Sequence, residues 1–108
     1  MASEATLDAL FGALANGRRR AIVARLAGGR ATTPQIGRRF RLTRQALNRH
    51  VALLERAGLV ARTLRGREHE IELVPGRLNG VTDFVAQLRR GWSASLDRLG
   101  EVLRESRT

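Results

Sequence analysis

Four side chains, Arg44, Gln45, Asn48 and Arg49, repeat at the one- and four-residue spacing that gathers them on one face of a helix. Their shared chemistry is directional hydrogen bonding. Arginine presents paired donors that match guanine O6 and N7, while asparagine and glutamine present a donor and an acceptor that match adenine N6 and N7. Thr43, just ahead of them, is a residue type that caps a helix start. The opposite face carries Ala46, Leu47, His50, Val51 and Leu54, and so must turn toward a core. No acid falls on the polar face before Glu55. An ordinary solvated face mixes both signs of charge, so contact with base edges accounts better for this one.

Other chemistries find few residues to carry them. The chain has no cysteine, which removes disulfides, thiolate metal sites and thiol nucleophiles together. Its two histidines, His50 and His69, are far apart in sequence; His50 belongs to the core-facing side of the helix above, and His69 reads as a surface residue with no nitrogen or sulfur donor nearby. A metal site built from N and S ligands is not expected. There is no Ser-His-Asp grouping, no His-Glu-x-x-His and no phosphate-binding glycine loop, so no catalytic residue is assigned and the chain does not read as an enzyme. No cofactor is implied.

The charge points the same way as the four side chains. The formal net charge is +10, and all 20 basic residues are arginine. Between Asp8 and Glu55 there is no acid, and that stretch holds Arg18, Arg19, Arg20, Arg25, Arg30, Arg38, Arg39, Arg41, Arg44 and Arg49. Charge segregated in this way is the footprint of a polyanion binder. No apolar run approaches the ~18 residues that span a bilayer. The start, Met1-Ala2-Ser3-Glu4, lacks the pattern of a secretory leader, so the expectation is a cytoplasmic protein without membrane contact.

The elements that would position these residues follow from periodicity. Leu7, Leu10, Phe11 and Leu14 recur at helical spacing, predicting a first helix over about 3–15 that Asn16-Gly17 breaks. A second helix over about 18–27 carries Ile22, Val23 and Leu26 and closes at Gly28-Gly29. Thr33 followed by Pro34 reads as a cap with proline in the first turn of a short helix that buries Ile36 and Phe40. A turn at Arg41-Leu42 then leads to Thr43 and the helix of the four side chains, which Gly58 ends. A short helix, a tight turn and a capped second helix are the marks of a helix-turn-helix, here about 33–58. In that geometry Arg38, Arg39 and Arg41 would meet the phosphate backbone.

Beyond Gly58 the period shortens. Leu59, Val60, Thr63 and Leu64 make one β-rich run, and Ile71, Leu73 and Val74 another, with Glu70 and Glu72 alternating outward. Arg65-Gly66-Arg67 lies between them as a hairpin tip whose arginines could reach phosphates or the adjacent minor groove. This hairpin, about 59–74, reads as a wing, although the nearby Glu68, Glu70 and Glu72 detract from its fit to DNA. After Pro75-Gly76, a helix over about 79–105 carries Val81, Phe84, Val85, Leu88, Trp92, Leu96, Leu99 and Leu103 at steps of three and four. That stripe is longer than a two-stranded wing can cover. The same helix of a second subunit would cover it, with the first helix assisting, so Leu7, Leu10, Phe11, Phe84, Leu88, Trp92, Leu96 and Leu99 are assigned to a dimer interface. Folding back onto its own domain is the other way to cover it.

The expected fold is mainly α with a small β component: a winged helix-turn-helix in the order α-α-α-α-β-β-α, spanning 1–108 as one domain with a long terminal dimerisation helix. This order resembles the ArsR/SmtB family of winged-helix repressors. The family pattern Leu-Ser-Gln-Pro-Ala-Val-Ser-Lys-His-Leu, followed by Leu and then Ala-Gly-Leu-Val, has its counterpart in Leu42 to Val51, Leu54 and Ala57-Gly58-Leu59-Val60. The stretch Leu14-Ala15-Asn16-Gly17-Arg18-Arg19-Arg20-Ala21-Ile22 is similar to the family's Leu-Ala-Asp-Pro-Thr-Arg-Arg-Arg-Ile. The resemblance covers nearly the whole chain. It implies a homodimeric repressor that binds an inverted-repeat operator in double-stranded DNA through Thr43, Arg44, Gln45, Asn48 and Arg49.

The departures from the family are informative. The metal sensors in it carry a Cys-x-Cys element at the short helix, or Asp, His and Glu ligands on the last helix. Residues 31–40 here contain no Cys, His, Asp or Glu, and the last helix has no histidine. The resemblance therefore implies a branch without a metal-sensing site, and the sequence specifies no small-molecule effector. Two other uses of such a module stay open: non-specific nucleic-acid binding and protein–protein interaction.

Overall fold

The computed structural model describes residues 3–106. Four helices come first: α1 (Glu4–Leu14), α2 (Gly17–Ala27), α3 (Thr33–Phe40) and α4 (Arg44–Arg56). The strands β2 (Val60–Arg65) and β3 (Glu68–Leu73) form the expected hairpin, and a short strand β1 (Ala31–Thr32) precedes α3. A 3-10 turn, Pro75–Leu78, leads into α5 (Asn79–Glu105). The mainly helical winged helix-turn-helix order is the one expected, with β1 and the 3-10 turn added.

Local chemistry fixes the helix starts. Asn16 does more than break the chain: its Oδ1 accepts from the backbone N–H groups of Arg18 and Arg19, at 2.9 and 3.1 Å, and so caps α2. The cap of α3 lies one residue earlier than expected. Thr32, not Thr33, accepts from the Gln35 N–H at 3.3 Å, and the Gln35 side chain returns to the Thr32 N–H at 2.9 Å, a reciprocal capping box. Thr33 is then the first helical residue, ahead of Pro34. Thr43 caps α4 as expected, accepting from the Ala46 N–H at 3.1 Å.

One core joins these elements. Leu10, Ile22, Leu26, Ile36, Leu47, Val51, Leu54, Leu59 and Ile71 are buried in it, and Phe40, Leu73 and Val81 pack against its edge. Among the described residues no polar or charged side chain is buried. Leu10, assigned above to the dimer face, has no exposed surface at all. Its place on α1 turns it into the protomer's own core, whereas Phe11 beside it stays 42 % exposed.

The sheet order is β1-β3-β2, antiparallel throughout. Facing pairs share a side of the sheet. Val60–Leu73, Arg62–Ile71 and Leu64–His69 lie on the side that begins in the core; Ala61–Glu72, Thr63–Glu70 and Arg65–Glu68 lie on the other. Gly66 takes the first of two turn positions with φ +64°, the positive value that a tight hairpin asks for there. Gly58 (φ +76°) ends α4 directly beneath Arg77, and a Cβ at this position would collide with that guanidinium.

The last helix stands apart. None of the 27 residues of α5 is buried. Its first turns lie on α1, where Phe84 meets Phe11 edge-on at 5.6 Å between ring centroids. The rest projects, so the molecule is 74 Å long with a radius of gyration of 19.6 Å, against about 13 Å for a compact chain of this size.

Candidate nucleic-acid interface

The exposed polar face of α4 is set by how α3 and α4 meet. α3 ends at Arg41, whose φ of +52° is the only positive value on a non-glycine among the described residues. That left-handed residue turns the chain so that the Leu42 N–H bonds the Gly37 carbonyl oxygen at 3.0 Å. Thr43 then starts α4 at once. Leu47, Val51 and Leu54 anchor α4 from below, so its upper face cannot rotate away. On that face Arg44, Gln45, Asn48 and Arg49 are all exposed, together with the capping Thr43. Arg38 and Arg39 are exposed on α3, with the Arg39 guanidinium 5.7 Å from the Phe40 ring centroid.

The structure gathers part of the expected set. Arg38, Arg44 and Asn48 line one cleft of about 690 Å³ between the helix-turn-helix and the hairpin. Arg62 and His69 line it too, and the sequence reading had singled out neither for this surface. The signal was present: counting in twos from the buried Val60 puts Arg62 and Leu64 on the inner side of the wing, and His69 pairs with Leu64. The same count explains the acids. Glu68, Glu70 and Glu72 lie on the outer side, so they do not face α4. Arg65 lies there with them and is drawn to Glu70 at 3.1 Å, while Arg30 reaches Glu70 from the other direction at 3.4 Å. Arg67 occupies the exposed turn.

Several arginines of the acid-free stretch have structural partners. Arg18 donates to the Phe40 carbonyl oxygen at 2.8 Å, Arg19 to those of Ala13 and Gly12 at 2.6 and 3.2 Å, and Arg20 to that of Leu14 at 2.7 Å. They satisfy the carbonyls that end α1 and α3, where a cation also suits the helix dipole. Arg62 is held by Glu55, with Nε and Nη2 at 3.1 and 2.9 Å from one carboxylate oxygen. His50 is half-buried beside Arg19. Burial lowers its pKa, and the charges of Arg19, Arg18 and Arg49 push it the same way.

Away from this surface, α5 presents Leu88, Trp92, Leu96, Leu99, Val102 and Leu103 to solvent, each about half exposed or more. Leu7 of α1 is half-buried. Among the described residues no group of three or more His, Cys, Asp or Glu converges on a point that could hold a metal ion. No helix among them is long and apolar enough to cross a membrane.

A capped helix set on a core after a tight turn, with a hairpin beside it, defines a winged helix-turn-helix domain. Known proteins agree. A helix-turn-helix domain model matches residues 14–63. The HTH-type transcriptional regulator Rv2034 of Mycobacterium tuberculosis is 31% identical over 96 residues, which cover 89% of this chain and 87% of that protein. Among solved structures, the ArsR family transcriptional regulator RHA00566 superposes with a TM-score of 0.79 at 26% identity, covering 86% of this chain and 97% of its own. The homodimeric winged helix-turn-helix DNA-binding domain Mb0332 from Mycobacterium bovis does so with a TM-score of 0.64 at 25% identity, covering 76% and 79%. The chain belongs to the ArsR/SmtB family of winged helix-turn-helix transcriptional regulators. Its place is among regulators rather than enzymes.

Proposed function

We propose that the chain acts as a homodimeric, sequence-specific repressor that binds an inverted-repeat operator and needs no metal ion to do so. The observation that carries this reading is the exposed start of α4: Arg44, Gln45, Asn48 and Arg49 stand together with no acid among them, on a helix fixed by the Thr43 cap and the buried Leu47 and Val51. Helix-turn-helix proteins contact base edges with the N-terminal residues of this helix. Arg38, Arg39, Arg41, Arg65 and Arg67 contact the phosphate backbone around it, and the whole chain works as one winged-helix domain.

The apolar stripe of α5 calls for a second subunit. Its exposed stripe runs from Phe84 to Leu103, and covering each large side chain contributes on the order of 1 kcal/mol or more. The interface assigned to it comprises Leu7 and Phe11 of α1 with Phe84, Leu88, Trp92, Leu96 and Leu99 of α5. The homodimeric state of the Mycobacterium bovis domain supports the same arrangement here.

Selection from random duplex DNA tests the reading. The expected product is an inverted repeat with half-sites about one helical turn apart. Asn48→Ala and Arg49→Ala should erase the preference between enriched and random sequences, while Arg67→Ala weakens both alike. A library that emerges unenriched would sink the proposal.

A further inference from the structure

The inner side of the wing faces the cleft beside α4. It runs outward from the core through Val60–Leu73 and Arg62–Ile71 to Leu64–His69, and at its tip Leu64 is 60 % exposed. His69 therefore looks across the cleft toward α3 and α4, on the opposite side of the hairpin from Arg65 and Glu68. The cleft it lines with Arg38, Arg44 and Asn48 has no carboxylate in its lining. Arg62 at its floor is occupied by Glu55, whereas Arg38 and Arg44 make no ion pair among the described residues. This trough is positive, open, and bounded by a helix on one side and a hairpin on the other.

When a helix lies in the major groove and a wing flanks it, one sugar–phosphate strand crosses between the two elements. We propose that His69 is a DNA-contact residue: its imidazole N–H donates to a phosphodiester oxygen of the strand seated in this cleft, opposite Arg38 and Arg44, and Leu64 lies against the adjoining deoxyribose. The inference rests on the DNA-binding reading above and adds a contact on the wing's inner side to those of the tip arginines. The contact positions the duplex without reading its sequence.

Affinity of the purified protein for the selected operator and for an unrelated duplex, at fixed salt, tests it. His69→Ala should weaken both by about tenfold, as loss of a hydrogen bond to a charged group does. His69→Gln, which keeps a donor, should recover most of the loss. Thr63→Ala on the outer side should leave affinity unchanged. The direct readout is a scan of single neutral methylphosphonates across the half-site. One position should cost the wild type about tenfold and His69→Ala nothing further. Unchanged affinity in folded His69→Ala, or equal sensitivity of both proteins at every methylphosphonate, overturns the inference. So does inhibition by inorganic phosphate, beyond that of sodium chloride at matched ionic strength, that His69→Ala abolishes; the cleft would then hold a small anion. A wild type that binds no duplex defeats the DNA-binding reading itself, so the two failures are distinct.

Discussion

The guanidinium of Arg19 stands between the end of α1 and the imidazole of His50. Its Nε donates to the Ala13 carbonyl oxygen at 2.6 Å, and its Nη1 lies 3.5 Å from His50 Nδ1 on the recognition helix. A permanent cation at that distance tolerates a neutral imidazole and repels a charged one. The first helix and the recognition helix thus share a contact that depends on the state of one ring.

That state predicts a pH dependence of stability. The His50 pKa is lowered in the folded chain from its ordinary 6.5, first by burial and then by Arg19, Arg18 and Arg49. As the pH falls through 6.5 the unfolded chain takes up a proton that the folded chain refuses, so stability falls with it, and levels off once the folded ring also titrates. Urea denaturation at pH 7.5 and 5.5 should show a larger loss for the wild type than for His50→Gln. Equal losses would refute the assignment.

The capping box predicts a contrast between adjacent threonines. Thr32→Ala removes the acceptor for the Gln35 N–H and should cost about 1 kcal/mol. Thr33→Ala removes no such bond and should stay within about 0.5 kcal/mol of the wild type. Denaturant midpoints of the two variants decide it, and the reverse order would restore Thr33 as the cap.

Arg41 predicts a trade. Its left-handed φ of +52° costs an L-residue roughly 1 kcal/mol that glycine escapes. Arg41→Gly should therefore raise stability by about that amount. If Arg41 also contacts a phosphate, the slope of log affinity against log salt should become shallower by about 1. A variant no more stable than the wild type would show that the turn is not strained.

The α5 stripe predicts assembly. Leu96→Arg places a charge in the centre of the exposed apolar face. Sedimentation should find a dimer for the wild type and a monomer for the variant, with the helix-turn-helix still folded because Leu96 is no part of the core, which α5 touches through Val81 near its start. A variant that remains dimeric would move the interface elsewhere.

Much of this was legible in the residues themselves. The stripe of each helix, the Thr43 cap and the Gly66 turn are local patterns, and local patterns survive in a sequence. What escaped depends on distance or on near-equivalents. Thr32 and Thr33 both precede Pro34, and only the reach of Gln35 separates them. β1 has two residues, too few to alternate, and exists because β3 offers Ile71 and Glu70 as partners some forty positions away. Leu10 and Phe11 are neighbours on one helical stripe, yet one is sealed in the core and the other half exposed. The arginines from 18 to 20 read as charge alone, because the carbonyls they reach belong to other elements or earlier turns. The exposed polar face of α4 was legible because its side chains lie within one helix; the cleft was not, because a hairpin completes it.

Trp92 is the only tryptophan in the chain, there is no tyrosine, and it stands 68 % exposed on α5. Its near-ultraviolet emission is therefore governed by whatever covers that helix and hardly at all by the core. Unfolding a lone protomer moves this ring from water to water, whereas a second subunit closing over it shifts the emission to the blue. For the proposed dimer this ring would serve as a built-in optical gauge of association, readable by simple dilution and without a label.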